Sequence, residues 1–353
     1  MTSTAKPYDV SVYIGRFQIF HNGQLALLRR ALQAAPLCIV VLGSAHQART
    51  PKNPFTWQER AEMVRLALPE ADRGRVQFLP VRDYYDQARW VSAVRQGVLQ
   101  QRGAGVDPSF VLVGHFKDAS SDYLQHFAGW ALDAMELQGR IDASSLRDAY
   151  FGNARTSLEA ALAALVSQVP ASTVEFLRAW AALPYYQDMA HEWANLKQEK
   201  AQWAGSPYPP VFVTVDAVVH CAGQVLLIER GRAPGKGLFA VPGGFIESRE
   251  TVYQSTLREL AEETGIGLQE DDLHGALKAV QVFDHPDRSQ RGRVITHAHL
   301  FDLGARALPQ VQAADDAAAA RWFPVDKLAG IEDRFHDDHF HMLDFFFSLT
   351  SRA

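Results

Sequence analysis

The chain has 353 residues, 47% of them apolar and 21% charged, with a formal net charge of −5. This is the composition of a folded globular protein long enough for two cores, and it excludes fibrous and low-complexity chains. No block of lysine and arginine suits a nucleic-acid backbone, and no window approaches the roughly 18 apolar residues of a membrane span, so neither partner is expected, while small anions remain open.

In chain order, residues 9–14 (DVSVYI), 37–42 (LCIVVL), 76–81 (VQFLPV) and 110–113 (FVLV) are short, apolar, β-rich runs. Helical segments around 24–34, 57–67 and 87–101 separate them, and this alternation predicts an α/β domain with a parallel sheet covered on both faces. Past residue 144 the pattern turns helical, through Ser157–Val166, Thr173–Ala182 and an amphipathic stretch at 186–204. The prolines of GSPYPP at 205–210 end that helix. The expected domains are therefore 1–185 and 211–353, joined by a helical linker at 186–210. In the second domain, 211–219, 225–229 and 294–302 read as strands and 251–264 as a helix, an α+β pattern without internal repeats. The two cysteines, Cys38 and Cys221, lie in apolar runs and are too few for a disulfide framework, which fits a reducing cytoplasm. The start of the chain has no basic segment followed by a long apolar core, so no targeting peptide is expected.

The first strand runs into Gly15-Arg16-Phe17-Gln18-Ile19-Phe20-His21-Asn22-Gly23-Gln24, with a helix following. Such a turn aims backbone N–H groups and the positive end of the helix at an anion, and His21 is placed to donate to a phosphate there. In the second domain Gly244 and Glu250 precede Arg258-Glu259-Leu260-Ala261-Glu262-Glu263-Thr264-Gly265-Ile266. On a helix Glu259, Glu262 and Glu263 stand at i, i+3 and i+4, which gathers like charges on one face. Arg258 is a single cation on a different azimuth. A hard divalent ion such as Mg2+ (or Mn2+) suits the excess, because it takes few carboxylates and shares its shell with water and substrate phosphates. Pyrophosphate hydrolysis is the chemistry such an ion serves. Gly243 and Gly244 are expected to let the backbone turn tightly before the helix, and Gly265 to end it in a left-handed cap. Further on, FDHPDRSQRGR at 283–293 places Arg288, Arg291 and Arg293 in a loop suited to holding a diphosphate.

The run from Gly244 to Ile266 matches the Nudix box at every fixed position and so resembles Nudix hydrolases. That resemblance implies Glu259 and Glu263 as principal metal ligands, Glu262 as a further ligand or the base, Glu250 as a supporting carboxylate and Arg258 as their holder. The N-terminal stretch resembles the GRFQPFHxGH signature of nucleotidyltransferases that make NAD from ATP and nicotinamide mononucleotide, and so implies a Rossmann-like domain. Here the signature's proline is Ile19 and its second histidine is Gln24. By the same resemblance Gly15, Arg16, Phe17, His21, Gly23, Gln24, Gly114, Lys117, Asp118, Ser144 and Arg147 are nucleotide-binding candidates. Trp90 is a candidate platform for the nicotinamide ring, or else a core residue of an amphipathic helix. Nearly the whole chain resembles bifunctional nicotinamide mononucleotide adenylyltransferase/ADP-ribose pyrophosphatase proteins, which implies ATP, nicotinamide mononucleotide, NAD and ADP-ribose as ligands. Two alternatives stay open: a Nudix hydrolase of another nucleoside diphosphate with a non-catalytic N-terminal domain, and an ADP-ribose-sensing regulator. A homo-oligomer is left open.

Overall fold

The computed structural model describes residues 7–102, 108–116, 119–135, 141–152 and 157–350, apart from the side chains of Ala119 and Ser120. The chain divides into two compact units at His191–Glu192.

The first unit holds β1 (Val10–Gly15), α1 (Asn22–Ala34), β2 (Leu37–Leu42), α2 (Trp57–Leu66), α3 (Glu70–Arg73), β3 (Val76–Pro80), α4 (Gln87–Arg102), β4 (Phe110–Gly114) and β5 (Ala131–Ala134). After these come α5 (Ala143–Gly152), α6 (Leu158–Ala163), α7 (Ala171–Trp180) and α8 (Pro184–Gln202), which runs across the division. The sheet order is β3-β2-β1-β4-β5, and every pairing is parallel. β1, β2 and β4 are buried almost end to end, as their unbroken apolar runs require of central parallel strands. Val10, Val12 and Ile14 share a face with Ile39 and Val41, and Val91, Val94 and Val98 of α4 pack on it. The connections from β1 to β2 and from β3 to β4 run in opposite directions along the sheet, and such a switch point leaves a crevice at the carboxyl ends of β1 and β4. The fifth strand, ALDA, escapes sequence analysis because it is short, only half-buried and contains an aspartate.

The second unit continues with β6 (Val211–Cys221), β7 (Gln224–Arg230), β8 (Phe239–Ala240), β9 (Gly243–Phe245), α9 (Val252–Thr264), α10 (Glu270–Ala276), β10 (Leu277–Phe283), β11 (Arg293–Asp302), β12 (Ala317–Pro324) and α11 (His339–Phe347). Its sheet runs β10-β11-β6-β7-β12, with β8 on β7 and β9 on β6, and only β11–β6 is parallel. Alternation along β6 sends Ala217, Val219 and Cys221 to a core shared with Leu260 of α9 and Leu273 of α10. Val218 points the other way, into a core with Phe340, Met342 and Leu343 of α11. No described helix is long and apolar enough to cross a membrane.

Helix α9 is closed at both ends by local chemistry. Thr251 and Gln254 form a reciprocal capping box, and Gly265 ends the helix at φ 55°, donating its N–H to Ala261. Replacing Gly265 by alanine strains that left-handed turn and brings a Cβ to 3.2 Å from the Gln312 carbonyl oxygen. Gly265→Ala is therefore expected to cost about 1–2 kcal/mol, read as a lower urea midpoint with an unchanged m-value.

Candidate active sites, one in each unit

In the first unit the loop leaving β1 is pinned from several sides. Gly15 lies under the Phe17 ring, where a Cβ would come within 2.7 Å of it, and Phe17 itself is buried at φ 54°. The buried Gln18 side chain clasps the Phe55 backbone, donating to its carbonyl (2.9 Å) and accepting from its N–H (3.0 Å). Arg60, fully buried, donates to the carbonyls of Arg16 (2.6 Å), Gly43 (2.7 Å) and Ser44 (3.2 Å), tying the ends of β1 and β2 together. Arg147 donates to the Gln18 carbonyl and to Ser144 Oγ. Burial, with the Arg16 charge adding to it, pushes both Arg60 and Arg147 down to about 10, while Asp83 opposes this at Arg60 and Asp142 and Asp148 at Arg147. Arg60 and Arg147 stay charged at neutral pH and, with Arg16, bring guanidinium groups together at the β1 loop.

His21 is the N-cap of α1: its Nδ1 accepts from the Gln24 N–H (3.4 Å), so in the neutral ring the proton sits on Nε2. The Gln24 side-chain carbonyl returns to the His21 N–H (3.2 Å). Gln24 therefore uses its oxygen to cap α1 and has its amide NH2 to donate with. Gly23 lies in the first turn of α1. Gly114 ends β4, and a Cβ there would meet Leu124 at 2.7 Å. Trp90 packs edge-on against Tyr123 (5.3 Å) at the margin of the core. Lys117 and Asp118 lie outside the described residues. Arg60, Gln18 and Asp83 were not singled out from sequence. Asp83 accepts from Ser44 N–H (3.1 Å), Ser44 Oγ (2.5 Å) and Gln47 (3.1 Å).

In the second unit Gly243 and Gly244 form a strand, not the tight turn expected of them. A Cβ on Gly243 would lie 2.2 Å from the Val215 carbonyl oxygen, and one on Gly244 2.5 Å from Glu259 Oε1. Glycine is required here because β9 presses against both β6 and α9. That approach lets Gly243 N–H donate to Glu263 Oε2 at 2.8 Å.

Arg258 reaches further than its azimuth suggests. It contacts Glu250 (2.9 Å), Glu259 (2.9 Å) and Glu262 (3.0 Å), and donates to the Phe245 carbonyl. As a single charge, Arg258 offsets only part of the excess carried by the three carboxylates it touches. Ser255 and Arg258 together hold the Glu250 carboxyl below its ordinary range. Glu263 has no cation bonded to it: burial pushes it up to about 8, with Glu259 and Asp216 adding to the rise against the opposing Gly243 N–H and Arg230. Asp216, on β6 opposite Gly243, is pushed up to about 6 by burial, although Arg288 and Thr296 oppose this. Among the described residues no three ligating side chains converge into a ready-made metal cage. The oxygens of Glu259 and Glu263 still fit a hard divalent ion, which needs few carboxylates and keeps its own waters.

The arginine loop differs from a free charged arm. Arg288 is buried in a bidentate pair with Asp338 (2.8 and 2.9 Å), so its guanidinium is committed to the fold and not offered to a ligand. Arg293 turns back on Asp284, while Arg291 lies 5.9 Å from the Phe245 ring centroid and 3.5 Å from Glu199. Arg230, His336 and His339 complete the surroundings and were missed from sequence. Burial and the neighbouring cations hold both histidines well below their ordinary range, hence neutral.

The comparisons with known proteins agree with both halves. Residues 12–115 match the cytidylyltransferase-like family model and residues 210–346 the NUDIX domain model. A nicotinamide/nicotinic acid mononucleotide adenylyltransferase of Acinetobacter baylyi is 32% identical over 190 residues, 53% of this chain and 94% of that protein. An ADP-ribose pyrophosphatase of Methanocaldococcus jannaschii is 39% identical over 116 residues, 33% of this chain and 63% of that protein. The crystal structure of a bifunctional NMN adenylyltransferase/ADP ribose pyrophosphatase from Francisella tularensis, complexed with AMP and a manganese ion, superposes with a TM-score of 0.88 at 33% identity, covering 97% of this chain and 99% of that one. Fold and sites define a nucleotidyltransferase domain followed by a Nudix domain. The chain belongs to the family of bifunctional NMN adenylyltransferase/ADP-ribose pyrophosphatases.

The raised Glu263 carboxyl has a stability consequence. Its folded value exceeds its unfolded one, so its contribution is full below about 4.5 and is lost as pH rises through about 8. For metal-free protein, Glu263→Gln is expected to raise the melting temperature relative to wild type at pH 8.5 by several degrees more than at pH 5. Equal shifts at both values would show that the carboxylate is not buried in this way.

Proposed function

We propose that the chain is a two-activity enzyme of NAD metabolism. Its first unit transfers the adenylyl group of ATP to nicotinamide mononucleotide, giving NAD and pyrophosphate. Its second hydrolyses ADP-ribose to AMP and ribose 5-phosphate with magnesium or manganese. The observation that carries this reading is the presence, in one chain, of guanidinium groups brought together at the β1 loop and an intact carboxylate helix, matched along nearly its whole length by one bifunctional relative.

In the first unit a phosphate oxygen of nicotinamide mononucleotide attacks the α-phosphorus of ATP as the bond to pyrophosphate breaks. Such transfer depends on positioning and charge stabilisation more than on covalent participation by the protein. Arg16 and Arg147 offset the triphosphate charge, the N-terminus of α1 and the Nε2–H of His21 point donors at it, and Ser144 steadies Arg147. Gly15, Phe17, Gly23, Gly114, Lys117 and Asp118 complete the proposed nucleotide contacts, and Trp90 is the candidate neighbour of the nicotinamide ring. Gln24 supplies its NH2 group where the family signature has a second histidine.

In the second unit water attacks phosphorus and one P–O bond of the diphosphate breaks. Glu259 and Glu263 would hold the divalent ion, which when bound neutralises phosphate charge and makes a coordinated water more acidic. Glu262, exposed on α9, is placed to accept the proton of the attacking water or to extend the ligand set. Glu250 and Arg258 keep these groups in register, and Arg291 faces the diphosphate.

Purified protein supplied with ATP, nicotinamide mononucleotide and magnesium is expected to form NAD, and Gln24→His to raise its kcat. No NAD at high enzyme concentration would remove the adenylyltransferase half of the proposal. Glu263→Gln is expected to lower AMP release from ADP-ribose by at least roughly 10²-fold while NAD formation continues. Hydrolysis at the wild-type rate would refute the assignment of the metal site.

A further inference from the structure

The second unit carries a row of aromatic rings that core packing does not account for. Trp203 is 47% exposed and Phe245 43%, with half-buried Phe212 between them. Ring centroids lie 5.4 Å apart for Trp203–Phe212 and 5.8 Å for Phe212–Phe245, both edge-to-face. Solvating rings of this size is unfavourable, and three in a row suggest that something flat covers them.

Strand register says where the row leads. Thr214 pairs with Phe245 and Asp216 with Gly243, and residues two apart along a strand share a face. Phe212, Thr214 and Asp216 therefore line the same face as Gly243 and Phe245. At one end are Asp216 and the glycine whose N–H holds Glu263, and at the other are the rings. The step between them is two residues of strand, roughly 7 Å, about what a ribose spans between a phosphate and its base. Arg291 stands at the junction, its guanidinium 5.9 Å from the Phe245 ring centroid, and a Cβ on the next residue, Gly292, would touch Phe212 at 3.4 Å. A cation beside flat apolar rings, adjoining a carboxylate cluster, complements a nucleoside diphosphate and not an apolar peptide.

We propose that Trp203, Phe212 and Phe245 form a stacking platform for the heteroaromatic base of the nucleoside diphosphate hydrolysed at Glu259 and Glu263, with Arg291 at its inner edge toward the diphosphate. This deepens, and rests on, the hydrolase reading above. Phe212 and Phe245 carry no hydrogen-bonding side-chain atoms, so this platform reads the π-face of the base and tolerates changes at its edge.

The test compares two substrates on the full-length protein with magnesium: ADP-ribose, and the symmetrical diphosphate of two ribose 5-phosphates, which lacks a base. Phe245→Ala and Trp203→Ala are expected to raise KM for ADP-ribose roughly ten- to hundredfold with kcat little changed. Phe245→Tyr should stay near wild type, and kcat/KM for the base-free compound should not move in any variant. Trp203 is exposed, so its replacement leaves the core whole and carries the test should Phe245→Ala fail to fold. Unchanged KM for ADP-ribose in Trp203→Ala, or equal losses on both substrates, would overturn the platform. A wild-type protein that hydrolyses neither compound would overturn the hydrolase reading itself.

Discussion

The hydrolase unit is built around the bond from Gly243 N–H to Glu263. For it to form, β9 has to lie against α9 and β6 with no side chain between them, which two consecutive glycines allow. The bond satisfies one carboxylate oxygen but does not neutralise it. Burying a carboxylate near Glu259 and Asp216 is unfavourable unless it is protonated or a cation arrives. Arg258 is already engaged with Glu250, Glu259 and Glu262 and makes no bond to Glu263. The fold thus holds a buried acid in place with no cation bonded to it, beside carboxylates that one arginine only partly offsets, and this excess is what suits the site to a hard divalent ion.

The first unit meets the mirror-image problem. Arg60 is fully buried, yet its partners are backbone carbonyls rather than a carboxylate. Carbonyls satisfy its N–H groups without cancelling its charge. The same bonds that close the ends of β1 and β2 therefore bring its guanidinium to the loop where Arg16 and Arg147 also lie. In both units a buried ionisable side chain is held by backbone groups and not by a bonded counter-ion, an acid in one and a base in the other.

What could be read from sequence follows from the range of the interactions. The unbroken run LCIVVL coincides with β2, and α9 ends where Thr251 and Gly265 say it should, because propensity and capping are local. The glutamate pattern was legible for the same reason: helix periodicity alone places Glu259 and Glu263 side by side. The strand β12, AAAARWFP, reads as helix-forming in isolation and is a strand only through its pairing with β7. The short β8 and β9 exist only because β7 and β6 are beside them. Asp216 and Thr296 meet across 80 residues, and Arg288 and Asp338 across 50, so no local pattern marks them. The role of Gly243 and Gly244 was misread for a related reason, since sequence suggests a turn at paired glycines and cannot reveal what presses on them.

The two cysteines acquire a practical meaning from their placement. Cys38 sits in β2 of the first unit and Cys221 at the end of β6 in the second, both fully enclosed. Burial pushes the Cys38 thiol up to about 12 and raises Cys221 as well, so neither is a ready nucleophile while its own unit is folded. Each half of the protein therefore contains a single silent reporter, and labelling of one thiol or the other tells which half has opened without any engineered probe.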